Sequence, residues 1–169
     1  MKTACFSGHR PEKFFIDGQE NSAFVAQIKS MLYYAVLRAV REKGYRRFIS
    51  GMARGVDLWA CEMVLSLKKE YPDIQLICAL PYRNHGKSWK GSDRYAFNSC
   101  LESCDKAVTV SEEYSRDCMK KRNMFMVDNS SLLIAVCCDA KSGTGQTIRY
   151  AQKKGIDIDL INIGAEEFA

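Results

Sequence analysis

Short apolar runs alternate with longer segments of helical periodicity along the chain. The runs 74–80 and 132–138 hold few polar residues, which is typical of strands covered on both faces of a sheet. The segment 21–43 instead repeats apolar residues at every third or fourth position and stops at Gly44. Strands that alternate with helices of about ten or more residues indicate parallel βαβ units.

The sequence therefore predicts the α/β class, as a doubly wound, mostly parallel, Rossmann-like sheet of about six strands with helices on both faces. The predicted strands are 2–6, 48–50, 74–80, 107–110, 132–138 and 158–163. The predicted helices are 21–43, 56–71, 84–103 (irregular at first), 117–129 and 146–154, the last opened by a turn at 143–145. Ligands of such folds bind outside the carboxyl ends of the strands, near the point where the strand order reverses.

The composition is that of a globular protein that fits one domain. The chain has 169 residues, of which 47% are hydrophobic and 27% charged, and three are prolines. No linker or low-complexity tract divides it, so we expect a single Rossmann-like domain over 1–169. The first apolar run is too short for a signal peptide, and none approaches the ~18–20 residues that a membrane helix needs. We therefore expect a cytoplasmic protein with no membrane partner.

Eight cysteines and two histidines bear on disulfides and metals. Four cysteines lie in predicted strands, four lie in helical patterns, and none forms a Cys-x-x-Cys motif. A zinc site is hard to assemble from this set, so we expect buried, reduced thiols and no metal. One alternative stays open, because Cys100 and Cys104 lie one helical turn apart, as a metal or redox pair would.

The net charge of +5 favours anionic partners. It does not choose between a small phosphate-bearing ligand and nucleic acid. Part of the excess lies where helices should end, for example at Arg41 and Lys154, and there it complements the helix dipole without any partner.

Three glycine-rich turns follow predicted strands and lead into helices, which suits phosphate binding at helix N-termini. In the central turn, 50–57, small residues leave room for a ligand against the backbone. Its acid, Asp57, caps the helix or holds a ribose hydroxyl, and the sequence leaves both open. The spacing matches neither G-x-G-x-x-G nor a Walker A loop. The candidate binding residues here are Ser50, Gly51, Ala53, Arg54, Gly55 and Asp57.

The other two turns supply the same chemistry. In the first, Gly8 permits close backbone approach and Arg10 can fork onto a phosphate. In the last, hydroxyls and glycines precede a helix directly after the most apolar strand. Three such turns on one sheet edge indicate a single pocket. Their candidate residues are Ser7, Gly8, His9 and Arg10 in the first turn, and Ser142, Gly143, Thr144, Gly145 and Thr147 in the last.

Two further segments offer weaker candidates. The loop 81–89 mixes aromatic rings with cations, so it can stack a base and hold phosphate. Trp89 suits core packing equally well, and we expect His85 to be exposed. The helix before the fifth strand offers polar groups that orient ligand hydroxyls or simply form a solvated face. The candidates are Pro81, Tyr82, Lys87 and Trp89 in the loop, and Asn123 and Asp128 on the helix.

Taken together, these segments resemble the SLOG superfamily, and specifically its YpsA-like branch. The similarity runs from about residue 2 to 163 and rests on the order of the motifs, since each motif alone is unspecific. The motifs are Gly8-His9-Arg10-Pro11, Ser50-Gly51-x-Ala53-x-Gly55-Val56-Asp57, Pro81-Tyr82 with Trp89, Arg122-Asn123-x-x-Met126-Val127-Asp128 and Gly143-Thr144-x-x-Thr147-x-x-Tyr150-Ala151. The resemblance implies a Rossmann-like fold with a nucleotide pocket at the strand ends. Dimers are frequent in the superfamily, so it also implies a homodimer as a partner.

Two members of the superfamily suggest alternatives. The turn 50–57, which contains Arg54, resembles that of DprA, a DNA-processing protein that binds single strands. The last turn stands where LOG-type phosphoribohydrolases carry Pro-Gly-Gly-x-Gly-Thr-x-Glu. Aligning that threonine with Thr147 puts Arg149 in place of the catalytic glutamate, and aligning the Gly-Thr pair on Gly145-Gln146 puts Ile148 there. Neither register supplies the acid, so the resemblance does not extend to LOG-type hydrolysis.

Three functional hypotheses follow, and the sequence favours the first. It is a ligand-binding or sensing domain for a nucleotide or an ADP-ribose-like molecule, with the bound nucleotide as its one candidate cofactor. The second is a hydrolase of the same ligand class, which needs a carboxylate such as Asp57, Asp128 or Asp139 to polarise water. The third is a DprA-like binder of single-stranded DNA, which needs a groove of cations and exposed rings.

Overall fold

The elements of the fold follow the predicted alternation of strands and helices in a computed structural model that describes residues 1–164. The strands are β1 (Thr3–Ser7), β2 (Arg47–Ser50), β3 (Gln75–Tyr82), β4 (Lys106–Ser111), β5 (Leu132–Cys137) and β6 (Asp157–Asn162). The helices are α1 (Ser22–Arg41), α2 (Val56–Leu67), α3 (Gly91–Ser103), α4 (Cys118–Asp128) and α5 (Gly143–Lys154), with a 3₁₀ turn at Pro11–Phe14.

The six strands form one parallel sheet in the order β4-β3-β2-β1-β5-β6. The chain moves outward from β1 to β4 and then returns to the other side of β1 with β5. The strand order therefore reverses between β1 and β5, which is where folds of this kind bind ligands. The predicted doubly wound, Rossmann-like α/β fold is confirmed.

Alternate residues of each strand pack against helices on opposite faces. Phe6 and its neighbour Phe48, whose ring centroids lie 5.9 Å apart, belong to the core under α1, α2 and α3. Cys5, paired in register with Ile49 and Leu133, faces the core under α4 and α5. This two-sided burial explains why the strands read as nearly unbroken apolar runs.

Capping residues fix where two helices begin. The Oδ1 atom of Asn21 accepts a hydrogen bond from the backbone N–H of Phe24 and starts α1. Likewise Ser142 accepts from the backbone N–H of Gly145, so α5 begins at Gly143 and not, as predicted, at residue 146. The predicted helix 56–71 is also shorter, because turns replace it after Leu67.

The structure can be compared with the predictions about disulfides, metal sites and membrane helices. All eight cysteines are free, and six of them are buried. In the part of the chain that the structure describes, no group of three or more potential metal ligands comes together. Over the same residues, no helix is long and apolar enough to cross a membrane.

The start of α5 offers a test of packing at two nearby glycines. A Cβ atom on Gly145 would lie 1.9 Å from the carbonyl oxygen of Ala140, whereas one on Gly143 would meet nothing within 4 Å. Because the backbone of Ala140 cannot move aside without disturbing its neighbours, we expect Gly145→Ala to lower the melting temperature by about 3–10 °C. Gly143→Ala is the matched control and should melt within about a degree of the wild type. Equal melting temperatures for the two variants in differential scanning calorimetry would contradict this packing.

Candidate functional site

A cavity of about 270 Å³ lies at the carboxyl ends of β1, β2 and β5, where the strand order reverses. We call it the polar cavity, because most of its lining side chains carry hydrogen-bonding groups. The turns after β1 and β2, the loop after β3, α4 and the start of α5 all contribute to it. It is lined by Phe6, Ser7, Gly8, His9, Arg10, Ala53, Arg54, Asp57, His85, Trp89, Met119, Arg122, Asn123, Gly143 and Thr144.

Side chains from three elements hold the turn after β2. Arg122 of α4 donates a hydrogen bond to the carbonyl oxygen of Gly51, and His85 Nε2 donates to the carbonyl oxygen of Met52 over 2.9 Å. Asp57 Oδ2 accepts from the backbone N–H of Ala53 at 3.2 Å. These bonds keep the buried Met52 at a φ of 61°, a left-handed conformation that is costly for a residue with a side chain.

Asp57 and Arg122 form a buried pair of opposite charges beneath this turn. A Cβ on Gly51 would lie 2.8 Å from both Asp57 Oδ2 and Arg122 Nε, so only glycine fits between them. Burial raises the pKa of the Asp57 carboxyl, and the guanidinium of Arg122 opposes that rise. The capping role is ruled out, because α2 is capped by Gly55 without a side-chain bond. Asp57 instead ties the turn to α2.

The two histidines line the polar cavity as neutral rings of opposite tautomer. His9 Nε2 accepts a hydrogen bond from the backbone N–H of Cys138 at 2.9 Å, which leaves the ring proton on Nδ1. His85 uses Nε2 as its donor, so its Nδ1 is an acceptor. Burial lowers the pKa of both rings, that of His85 to about 4. The cavity therefore holds one neutral N–H donor and one neutral nitrogen acceptor.

Four hydrogen-bonding atoms around the polar cavity find no partner within residues 1–164: Ser7 Oγ, Thr144 Oγ1, His9 Nδ1 and His85 Nδ1. Their side chains are at least nine-tenths buried. None of the four atoms is sealed from solvent, and each belongs to a side chain that lines the polar cavity. Buried polar groups are nearly always satisfied, so these four atoms are available to molecules in the cavity.

Two predicted phosphate-binding arginines differ in their availability. Arg54 is paired with Asp93 at 2.9 Å and with Glu12, and these hydrogen bonds raise its pKa. Arg10 is exposed at the mouth of the cavity, and its guanidinium makes no hydrogen bond or ion pair with any residue that the structure describes. Arg10 is therefore the cation that can move onto an anionic ligand.

The glycines of the three turns make room mostly for protein, whereas the sequence predicted room for a ligand. A Cβ on Gly8 would meet Val56 at 2.4 Å, and one on Gly55 would meet the carbonyl oxygen of His9 at 2.5 Å. Gly145 is blocked in the same way by the backbone of Ala140. Gly143 is the exception, since it borders the cavity with open space in front of it.

Several predicted binding residues lie away from the polar cavity. Ser50 is fully buried, and both hydrogen bonds of its hydroxyl stay within the turn. The hydroxyl donates to the carbonyl oxygen of Asp57 and accepts from the backbone N–H of Met52. Asp128 lies near the amino ends of the strands, where its carboxylate accepts from Tyr150. The remaining residues outside it are Gly51, Gly55, Pro81, Tyr82, Lys87, Ser142, Gly145 and Thr147.

Four cavity residues were missing from the predicted set: Phe6, His85, Met119 and Arg122. Cys118, Arg122 and Met126 lie four residues apart on α4, and all three are buried. Helical periodicity alone would therefore have placed Arg122 on the inner face of the helix. Met119 lies on the turn before Arg122. His85, expected to be exposed, is only 5% exposed because the loop 83–90 folds its ring against Trp89, with centroids 5.0 Å apart. No periodicity in a loop indicates such burial.

Comparison with known proteins gives one family and several relatives. The family model YpsA, described as the YspA SLOG family, matches residues 4–164, which include every residue of the polar cavity. The chain is 32% identical to the "Uncharacterized SPbeta prophage-derived protein YoqJ" of Bacillus subtilis (strain 168), over 75% of this chain and 81% of that protein. It is 30% identical to UPF0398 proteins of Bacillus cereus (strain B4264), over 92% of this chain and 85% of that protein, and of Bacillus thuringiensis (strain Al Hakam), over 94% and 86%.

The low pKa of His85 predicts a specific loss of stability in mild acid. In the unfolded chain this histidine has its ordinary pKa of 6.5 and therefore binds a proton below that pH. In the folded protein the pKa of His85 is about 4, so its ring stays neutral over the same range. Lowering the pH from 6.5 to 5 should therefore cost up to about 2 kcal/mol of unfolding free energy through this residue. Urea denaturation should show a smaller loss over that range in His85→Gln, which cannot titrate. Parallel pH profiles for the two proteins would contradict the assignment.

Proposed function

This chain belongs to the YpsA SLOG family, and from that premise we propose that its polar cavity binds a nucleotide or nucleotide derivative by a phosphate group. The proposal makes the protein a ligand-binding or sensing protein. We place it in the cytoplasm, a reducing compartment that suits eight free cysteines.

The four unpartnered polar atoms of Ser7, His9, His85 and Thr144 carry this proposal. Three of them can donate a hydrogen bond to a phosphate oxygen, since Ser7 and Thr144 are hydroxyls and His9 presents an N–H. His85 Nδ1 can accept from a ligand hydroxyl, such as that of a ribose. The groups thus match a ligand that carries both an anion and a sugar.

Positive potential at the same place supports an anionic ligand. The first turn of α5, at Gly143 and Thr144, borders the cavity and brings the positive end of the helix dipole to it. Arg10 adds a mobile full charge at the mouth. The buried carboxylate of Asp57 also lines the cavity, but it lies beside Arg122. Its negative charge is therefore compensated and does not repel an anion.

A hydrolase is the second candidate, and Asp57 is what favours it. Of the three carboxylates considered for water activation, only Asp57 lines the polar cavity, and burial raises its pKa as a general base would require. Asp139 is paired with Lys13 at 2.9 Å, and Asp128 lies at the opposite edge of the sheet. Binding of single-stranded DNA has less support, because Glu12 and Asp93 neutralise Arg54.

Nucleoside diphosphates and ADP-ribose should raise the melting temperature by several degrees at millimolar concentration, because they bind only the folded state. Arg10→Ala and Thr144→Val should each weaken that binding about tenfold, since each removes one contact to the phosphate. Fluorescence thermal shifts and calorimetric titration measure both effects. A well-folded wild type that none of these ligands stabilises would overturn the proposal.

Arg41→Ala is the matched control for Arg10→Ala. Arg41 is also an exposed arginine, but it ends α1 and lies near the amino ends of the strands. Its removal changes the net charge equally and should leave affinity unchanged. If both variants weakened binding alike, the effect would be one of net charge and Arg10 would make no contact.

Chromatography of a bound ligand after prolonged incubation separates binding from hydrolysis. On the binding proposal, we expect the ligand to be recovered intact, because one carboxylate that already holds the backbone of Ala53 has little freedom to activate water. Time-dependent product that is lost in Asp57→Asn, with ligand binding retained, would establish the hydrolase instead.

A further inference from the structure

A second cavity of about 240 Å³ lies between α4 and α5 and continues from the polar cavity. The two share Met119, Asn123 and Gly143 in their linings, so the cavities meet at these residues, and we call this junction the passage. We call the second one the methionine cavity, since Met119 and Met124 line it together with Tyr150. Each cavity alone is smaller than the ~300 Å³ at which small-molecule sites begin, and together they exceed it.

The methionine cavity offers flat, apolar contact surface. Met119, Met124 and Tyr150 are partly buried and so remain open to it. Methionine side chains adapt their shape and make favourable contacts with aromatic rings. The position of the Tyr150 ring is held by its hydroxyl, which donates to Asp128 over 2.7 Å, and Lys154 Nζ lies 5.5 Å from the ring centroid. A planar group can lie against such a prepared surface.

Amide groups at the edges of this surface supply hydrogen bonds of defined direction. Asn123 Oδ1 accepts from Arg122 Nε at 3.0 Å, which turns the amide NH₂ of Asn123 away as a donor in the passage. Gln146 is exposed at the other side of the lining. Amides that present both donors and acceptors suit the edge of a nucleobase.

Charge at the rim favours an anionic molecule over a neutral apolar one. None of the described residues that line the methionine cavity is acidic. Arg116 and Lys120 lie at its edge, and neither forms an ion pair with any residue between 1 and 164. Cations around an apolar slot raise the local concentration of ligands that carry phosphate.

We propose that the methionine cavity holds the base of the nucleotide whose phosphate lies in the polar cavity, with Met124 and Tyr150 as its stacking surfaces. This inference rests on the proposed function and extends it, because it assigns a site to the base as well as to the phosphate. Asp128 then acts through Tyr150, as a positioning residue, which accounts for its distance from the polar cavity.

Inorganic pyrophosphate and nucleoside diphosphates together test the proposal by calorimetric titration, because pyrophosphate carries the phosphate groups without a base. The tightest of ADP, GDP and UDP should bind the wild type at least tenfold more tightly than pyrophosphate does. Met124→Ala and Tyr150→Ala should each weaken that nucleotide roughly tenfold, the loss expected when a base loses a stacking partner. Both variants should bind pyrophosphate as the wild type does.

Two control variants keep the test specific. Tyr150→Phe retains the ring but loses its hydrogen bond to Asp128, so its nucleotide affinity should lie between those of the wild type and Tyr150→Ala. Met31→Ala removes a methionine that is 38% exposed on α1, far from both cavities, and should change neither affinity. Because Met124 is only partly buried, Met124→Ala still tests the inference if Tyr150→Ala fails to fold.

The outcomes separate this inference from the proposed function. Equal losses for nucleotide and pyrophosphate in Met124→Ala would place the phosphate in the methionine cavity and overturn the inference. Unchanged nucleotide affinity in that variant, or a nucleotide no tighter than pyrophosphate, would mean that the base lies elsewhere. A wild type that binds neither ligand would overturn the proposed function, and this inference with it.

Discussion

The backbone of three successive residues after β2 is held by side chains from three different parts of the chain, and the site depends on this constraint. Arg122 reaches the carbonyl of Gly51 from α4, His85 reaches that of Met52 from the loop after β3, and Asp57 takes the N–H of Ala53 from α2. The turn is thereby fixed in a strained shape, and it in turn fixes the three side chains. The floor of the polar cavity is the product of this mutual restraint.

The charges inside the polar cavity compensate each other, whereas positive charge at its mouth is uncompensated. Asp57 and Arg122 offset each other below, and the histidines are neutral, so the interior carries hydrogen-bonding groups of defined direction and little net charge. Arg10 and the start of α5 supply the attraction from outside. On the proposed function, such a division lets charge attract the ligand while the direction of the hydrogen bonds sets the specificity.

The sequence predicted the sheet well, because buried parallel strands and amphipathic helices differ in period, and the order of its motifs identified the family. It predicted the site less well. Spacing shows where glycine occurs but not what approaches it, and at Gly8 and Gly55 the neighbour is protein. His85 is buried by the path of its loop, and Asp128 reaches its partner Tyr150 across two helices, so neither placement follows from periodicity.

Gly143 has a consequence for how this fold diversifies. It is the one glycine of the three turns whose missing side chain faces open space while bordering both cavities. The glycines that packing requires, Gly8, Gly55 and Gly145, are therefore different positions from Gly143, which borders the passage. Substitution at residue 143 can widen, narrow or close the passage between the polar cavity and the methionine cavity without disturbing the packing of the fold. On the proposed function, a lineage that keeps the same scaffold could change its ligand through this one residue.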